Sequence, residues 1–183
     1  DLIGADIINS SLGYTTFDTI IDDHTYEDMD GNTTVITKAA DRAAAVGILV
    51  CNSAGNEGDG SWYYIGAPAD GDSVFTIGAV DINGNSVSYS SHGPTFDGRL
   101  KPNVVGQGAG TGVVASNGTV AYGNGTSYSS PLIAGACASF MSAFPELSNM
   151  EVMDIIQSTA SQADNPDNSM GYGIPNFAKA YLE

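Results

Sequence analysis

The chain has 183 residues, 42% of them hydrophobic and 14% charged, the composition of a folded globular chain and not of a disordered one. Five Lys and Arg stand against 21 Asp and Glu, a formal net charge of −16, which argues against nucleic-acid partners and against attraction to anionic membranes. No apolar run reaches the ~20 residues of a membrane span. In chain order, residues 5–10 hold a short apolar run around Ile7 and Ile8 that reads as a buried strand. Residues 15–34 are polar and acidic, with Asp22, Asp23, Glu27, Asp28 and Asp30, and read as an exposed insertion. Val35, Ile36, Ala39, Ala40, Ala43 and Val46 then recur at helical spacing, and Gly47 supplies the stop. Residues 48–51 form a second buried strand and residues 73–80 a third, followed by a turn at Asn83-Gly84.

Residues 86–112 are rich in Gly and Ser and read mostly as loop. Residues 111–116 and 119–122, around Asn117-Gly118, read as a hairpin. In the run from Leu132 to Phe144, Leu132, Ile133, Ala136, Phe140, Met141 and Phe144 keep helical spacing. That pattern implies a helix apolar on nearly all sides and buried in a core, with Pro131 in its first turn. Ser148-Asn149-Met150-Glu151 is a capping box opening a last long helix to about residue 160, and the tail reads as a turn and a short helix. Alternation of strand and helix, with near-continuous apolar strands, implies an α/β fold: a mostly parallel sheet with helices on both faces. In such sheets the site gathers at the carboxyl ends of the strands. Cys51 falls in a strand and Cys137 in the long helix. They read as two buried free thiols, with a disulfide between them left open.

Gly123-Asn124-Gly125-Thr126-Ser127 precedes that helix. Glycines there let the backbone approach a ligand closely, and free N–H groups at the helix start favour a developing anion. Ser127 is therefore a candidate nucleophile, although a Thr or Ser in this place also serves as a simple helix cap. The stretch Gly125-Thr126-Ser127-Tyr128-Ser129-Ser130-Pro131 resembles the nucleophile motif Gly-Thr-Ser-x-Ala-x-Pro of the subtilisin-like serine peptidases, with Ser129 in place of Ala. Ser53-Ala54-Gly55-Asn56-Glu57-Gly58 resembles the oxyanion-hole segment of that family, and Ile8-Asn9-Ser10-Ser11-Leu12-Gly13 its substrate-pairing strand. The resemblance runs along the whole chain and implies a serine endopeptidase with Ser127 as nucleophile and Asn56 as oxyanion donor. It also implies Ser11, Leu12, Gly13 and Gly66 as substrate-binding residues. Gly66 lies in Ile65-Gly66-Ala67-Pro68, which resembles the loop closing the pocket for the residue before the cut. Glu57 at the rim of that pocket either favours a basic side chain or is merely solvated.

A serine hydroxyl needs a base within hydrogen-bond reach. In the family the order is Asp, His, Ser, and neither His24 nor His92 stands in the expected His-Gly-Thr context. The reading is then of the C-terminal larger part of a peptidase domain, residues 1–183. The Asp and His come from an earlier segment, which is one expected partner beside the polypeptide substrate. A chain without that segment would expose a strand edge and apolar surface. The alternative is a non-catalytic peptide-binding remnant. Lys101-Pro102-Asn103-Val104-Val105-Gly106-Gln107-Gly108 departs from the family's Lys-Pro-Asp-Val-x-Ala-Pro-Gly, and loss of the second Pro should loosen that loop. Asp28-Met29-Asp30-Gly31-Asn32 resembles the start of a calcium loop, but Ala39 stands where the closing Glu belongs. No metal ligand is assigned and no cofactor is required, with structural calcium and secretion expected only from the family likeness.

Overall fold

The computed structural model describes residues 2–183. Four parallel strands, β1 (Ile7–Ser10), β2 (Leu49–Ser53), β3 (Val74–Val80) and β4 (Val104–Gln107), lie side by side in that order. Helix α1 (Val35–Ala45) covers one face, and α2 (Thr126–Ala143) with α3 (Asn149–Ser158) covers the other. The alternation of side chains along β2 divides the core. Leu49 and Cys51 join Phe75, Ile77, Ile133, Cys137 and Phe140 under α2, while Ile48 and Val50 join Val74 and Ala44 under α1. A separate antiparallel hairpin, β5 (Thr111–Val114) and β6 (Val120–Gly123), precedes α2, and a short α4 (Phe177–Ala180) follows α3.

The strands, α1, the hairpin and the capping box of α3 fall where the sequence places them. The Ser148 hydroxyl accepts from the Glu151 N–H while the Glu151 carboxylate accepts from the Ser148 N–H. Strand β4 is a correction, since it lies inside the stretch read as loop. It has only four residues, one of them Gly106, follows Pro102, and pairs with β3 on one side. On its other side the Val105 N–H is taken by Gly173 O, so tertiary pairing makes the strand.

Helix α2 also differs from expectation. It buries only one face (Ile133, Ala134, Cys137 and Phe140), while Leu132, Gly135, Ala138, Ser139 and Ser142 are exposed. Pro131 is not in the first turn, because the helix begins at Thr126. A proline there removes the donor for the carbonyl four residues back, which is Ser127 O. The Ser11 hydroxyl donates to that oxygen instead, at 3.3 Å.

The acidic insertion is pinned rather than loose. Met29 is fully buried, the Tyr26 hydroxyl donates to Pro94 O at 2.9 Å, and Phe96 N–H donates to Met29 O at 2.9 Å. Asp28 and Asp30 spend their carboxylates on the chain itself. Asp28 accepts from Thr25 N–H, and Asp30 accepts from the N–H groups of Asn32 and Thr33. Likewise Gln107, in place of the expected proline, ties its loop. Its side-chain amide donates to Ala109 O and Gly110 O, and its backbone carbonyl accepts from the Thr111 hydroxyl.

Lys101 is fully buried against β3 and β4. Its ammonium donates to Val74 O at 2.6 Å, Thr76 Oγ1 at 3.0 Å and Asn103 Oδ1 at 3.1 Å. Burial, with the Arg99 charge nearby, pulls its pKa from 10.5 down to about 7. The unfolded chain therefore holds this proton over a pH range in which the folded chain has lost it, and stability rises with pH between those values. Urea unfolding at pH 7 and pH 9.5 is expected to show this gain, and Lys101→Met is expected to flatten it. Equal slopes in the two proteins would contradict the assignment.

Candidate active site

Strand β1 runs into Ser11, Leu12 and Gly13, and its parallel neighbour β2 runs into Ala54, Gly55 and Asn56, so both exits lie at one end of the sheet. The N-terminus of α2 arrives at the same end. Ser127, Asn56, Ser11, Leu12, Gly13 and Gly66, the residues singled out from the sequence, all line one cavity of about 210 Å³.

The loop before α2 is held from two sides. Gly125 adopts φ +144°, a conformation that suits glycine. Its N–H donates to Gly108 O at 2.8 Å and lies 3.2 Å from the Tyr89 hydroxyl, which itself donates to Gly108 O at 2.9 Å. The next residue fixes Asn56. Thr126 N–H donates to Asn56 Oδ1 at 2.8 Å, and the Thr126 hydroxyl donates to the same oxygen at 3.0 Å. Because backbone N–H can only donate, these bonds identify the oxygen of the amide and leave Nδ2 as its free donor. Ser127 N–H, at the helix start, has no partner among the described residues. The arrangement thus leaves two donors, Ser127 N–H and Asn56 Nδ2, without a partner among the described residues, on two residues that line one cavity. Such a pair can bind an oxygen that gains negative charge, and the positive end of the α2 dipole adds to it.

The loop carrying Asn56 is clamped as well. Ala54 N–H donates to Ile77 O, Glu57 N–H to Ser91 Oγ and Gly58 N–H to Tyr89 O. A Cβ on Gly58 would clash with Ser90 O, a backbone atom that cannot swing away. Gly58→Ala is expected to destabilise the fold by about 1–3 kcal/mol in urea unfolding and to shift Asn56. An unchanged unfolding midpoint would contradict the clamp.

No histidine among the described residues lines the cavity with the serine. Among the described residues the Ser127 hydroxyl makes no hydrogen bond, and Glu57 is the only charged side chain lining the cavity. The His24 ring packs edge-on to Phe17 at 5.2 Å, outside the cavity lining. The His92 ring stacks on Tyr63 at 4.6 Å, also outside it. Cys51 and Cys137 are both fully buried free thiols. Contact with Cys137, and then burial, raises the Cys51 pKa.

Sequence reasoning missed Thr15, Trp62 and Tyr64, which line the same cavity, and it missed Tyr89, which braces the loop before Ser127. Trp62 and Tyr64 lie in a stretch without period, and a ring's direction there is set by tertiary packing. Tyr64 is stacked on Tyr26 at 3.9 Å, so the acidic insertion supports the cavity wall. Among the described residues no group of three His, Cys, Asp or Glu side chains is placed to hold a metal ion, and no helix is long and apolar enough to cross a membrane.

The chain matches the subtilase family (Peptidase_S8) over residues 3–173. It is 37% identical to subtilisin DY of Bacillus licheniformis over 171 residues, which are 93% of this chain and 54% of that protein. It is 34% identical to subtilisin E of Bacillus subtilis (strain 168), covering 87% of this chain and 37% of that one. The chain therefore spans about half or less of these relatives. Its fold is similar to the self-cleaved protease domain of PatA (TM-score 0.76, 21% identity, 99% of this chain and 62% of that one). It is also similar to the prenylagaramide maturation protease PagA (TM-score 0.74, 22% identity, 99% of this chain and 62% of that one). With a mostly parallel sheet, helices on both faces and the family match over nearly its whole length, the chain belongs to the subtilase family of serine peptidases.

Proposed function

We propose that this chain carries the nucleophile side of a serine endopeptidase site, with Ser127 attacking the scissile carbonyl and Asn56 Nδ2 with Ser127 N–H holding the resulting oxyanion. The observation that carries this reading is the Thr126–Asn56 pair, which orients a side-chain amide toward the start of the helix that presents the serine. Substrate backbone pairs with residues 11–13 by strand addition, and Gly66 lies at the wall of the pocket for the residue before the cut.

The base and its orienting carboxylate come from a further segment that completes the peptidase domain. Two features favour that place for it. Strand β1 pairs only with β2 among the described residues, so its outer edge is open. Alongside it, a groove of about 380 Å³ is uncovered between Ile7 and the C-terminal end of α2 with the residues after it, Met141 to Leu147. A strand added in parallel on that edge would end level with Ser11, whose hydroxyl already touches Ser127 O. Family likeness further proposes a secreted or cell-envelope protein, with any calcium held structurally.

Hydrolysis of a fluorogenic peptide separates this from a peptide-binding remnant, which the absence of a base beside Ser127 would otherwise favour. The chain with its upstream segment is expected to cleave, and the chain alone is not. A folded, full-length protein that binds peptide without cleaving it would establish the remnant.

A further inference from the structure

Taking residues 11–13 as a wall of the peptide groove, we infer that Asn52 is the positioning residue that holds this wall against the strand leading to Asn56. Asn52 lies near the end of β2 and is buried. Its side-chain Nδ2 donates to Leu12 O at 3.3 Å and to Ser53 O at 2.8 Å. Leu12 and Ser53 both line the 210 Å³ cavity that holds Ser127. One amide therefore ties two sides of that cavity to each other.

The segment depends on such a tie. Pairing of β1 with β2 stops at Ser10 and Asn52, and the next backbone bond along the chain is Tyr14 N–H to Ala67 O at 2.9 Å. Between those points, the bond from Asn52 is the only hydrogen bond to the backbone of residues 11–13 among the described residues. The Ser11 hydroxyl adds a side-chain bond to Ser127 O. The backbone groups of Ser11 and Gly13 stay open to an extended peptide, and strand addition gains most when the receiving edge is already held still. Asn52 holds it through Leu12 O and leaves those groups open. Stability does not account for an asparagine here. Its Oδ1 is buried without a partner among the described residues, and a buried acceptor left unpaired costs stability. Val50, on the same face of β2, packs with Val74 in the core under α1, so an apolar β-branched side chain suits this part of the sheet.

The test compares the full-length protein with Asn52→Val, which removes the amide and keeps a β-branched shape, and Asn52→Asp, which keeps the shape and removes the donor. Both variants are expected to raise KM for a fluorogenic peptide by about tenfold. Binding of a product-like peptide, read by NMR titration, is expected to weaken by a similar factor. The kcat is expected to stay within about threefold, because the Ser127 loop and Asn56 are held separately, by Gly125 on Gly108 O and by Thr126. The urea unfolding midpoint of Asn52→Val is expected to be unchanged or raised, since the unpaired acceptor is gone. A lowered midpoint with KM and peptide affinity unmoved would make Asn52 a structural residue and overturn the proposal. A loss carried by kcat alone would overturn it too. Weaker peptide binding by both variants, with no cleavage by any of the three proteins, would sink the peptidase reading and leave this one standing. Cleavage by all three with the same KM would do the reverse.

Discussion

Ser127→Ala is expected to reduce kcat of the complete protein by roughly 10⁶-fold, the loss that follows removal of the nucleophile from a Ser-His-Asp site. It is expected to leave stability within about 0.5 kcal/mol. The two halves of this expectation have separate structural causes. The Ser127 hydroxyl holds nothing together, since it has no hydrogen bond among the described residues. What locates residue 127 is backbone and neighbours: Gly125 N–H on Gly108 O, Thr126 on Asn56, and the Ser11 hydroxyl on Ser127 O. Removing one oxygen atom from the side chain disturbs none of these. A large drop in unfolding midpoint would show that Ser127 is a structural cap, and a small drop in rate would show that another residue attacks.

Asn56→Asp is expected to lower kcat by more than about 10²-fold, the usual loss for one oxyanion donor, with stability unchanged or slightly raised. The isosteric aspartate keeps an oxygen where Oδ1 now accepts from Thr126 N–H and Thr126 Oγ1. A carboxylate at the start of α2 is favourable to the helix. Its second oxygen, however, replaces the only N–H₂ of the residue and sets a negative charge against the developing oxyanion. Asn56→Ala removes donor and acceptor together. It is expected to lose both rate and about 1 kcal/mol of stability, measured by urea unfolding. Equal stability losses for the two variants would show that Thr126 does not depend on this oxygen.

The strands, α1 and the site motifs were legible because each is a local pattern. Apolar runs fix β2 and β3, helical spacing fixes α1, and the segments around Ser127 and Asn56 are short words that carry the family resemblance. What escaped is what distant residues decide. Strand β4 forms because Gly173 and β3 bracket it. The exposed face of α2 could not be seen in a run of apolar residues, because periodicity says which residues could be buried and not how many neighbours arrive to bury them. Pro131 was misplaced because the helix starts earlier than the apolar run, at Thr126, where Asn56 supplies the acceptor for its first N–H. The walls of the cavity were partly hidden for the same reason. Trp62 and Tyr64 reach it through Ile65 and Tyr26, contacts that no local signal announces.

Intact-mass measurement of the full-length protein after exposure to a fluorophosphonate tests the central claim most directly, because that reagent labels a serine only when a base activates it. One adduct per chain is expected, on the peptide that contains Ser127, absent from Ser127→Ala and absent from residues 1–183 on their own. No adduct on the full-length protein, or one that survives Ser127→Ala, would contradict the assignment of Ser127 as an activated nucleophile.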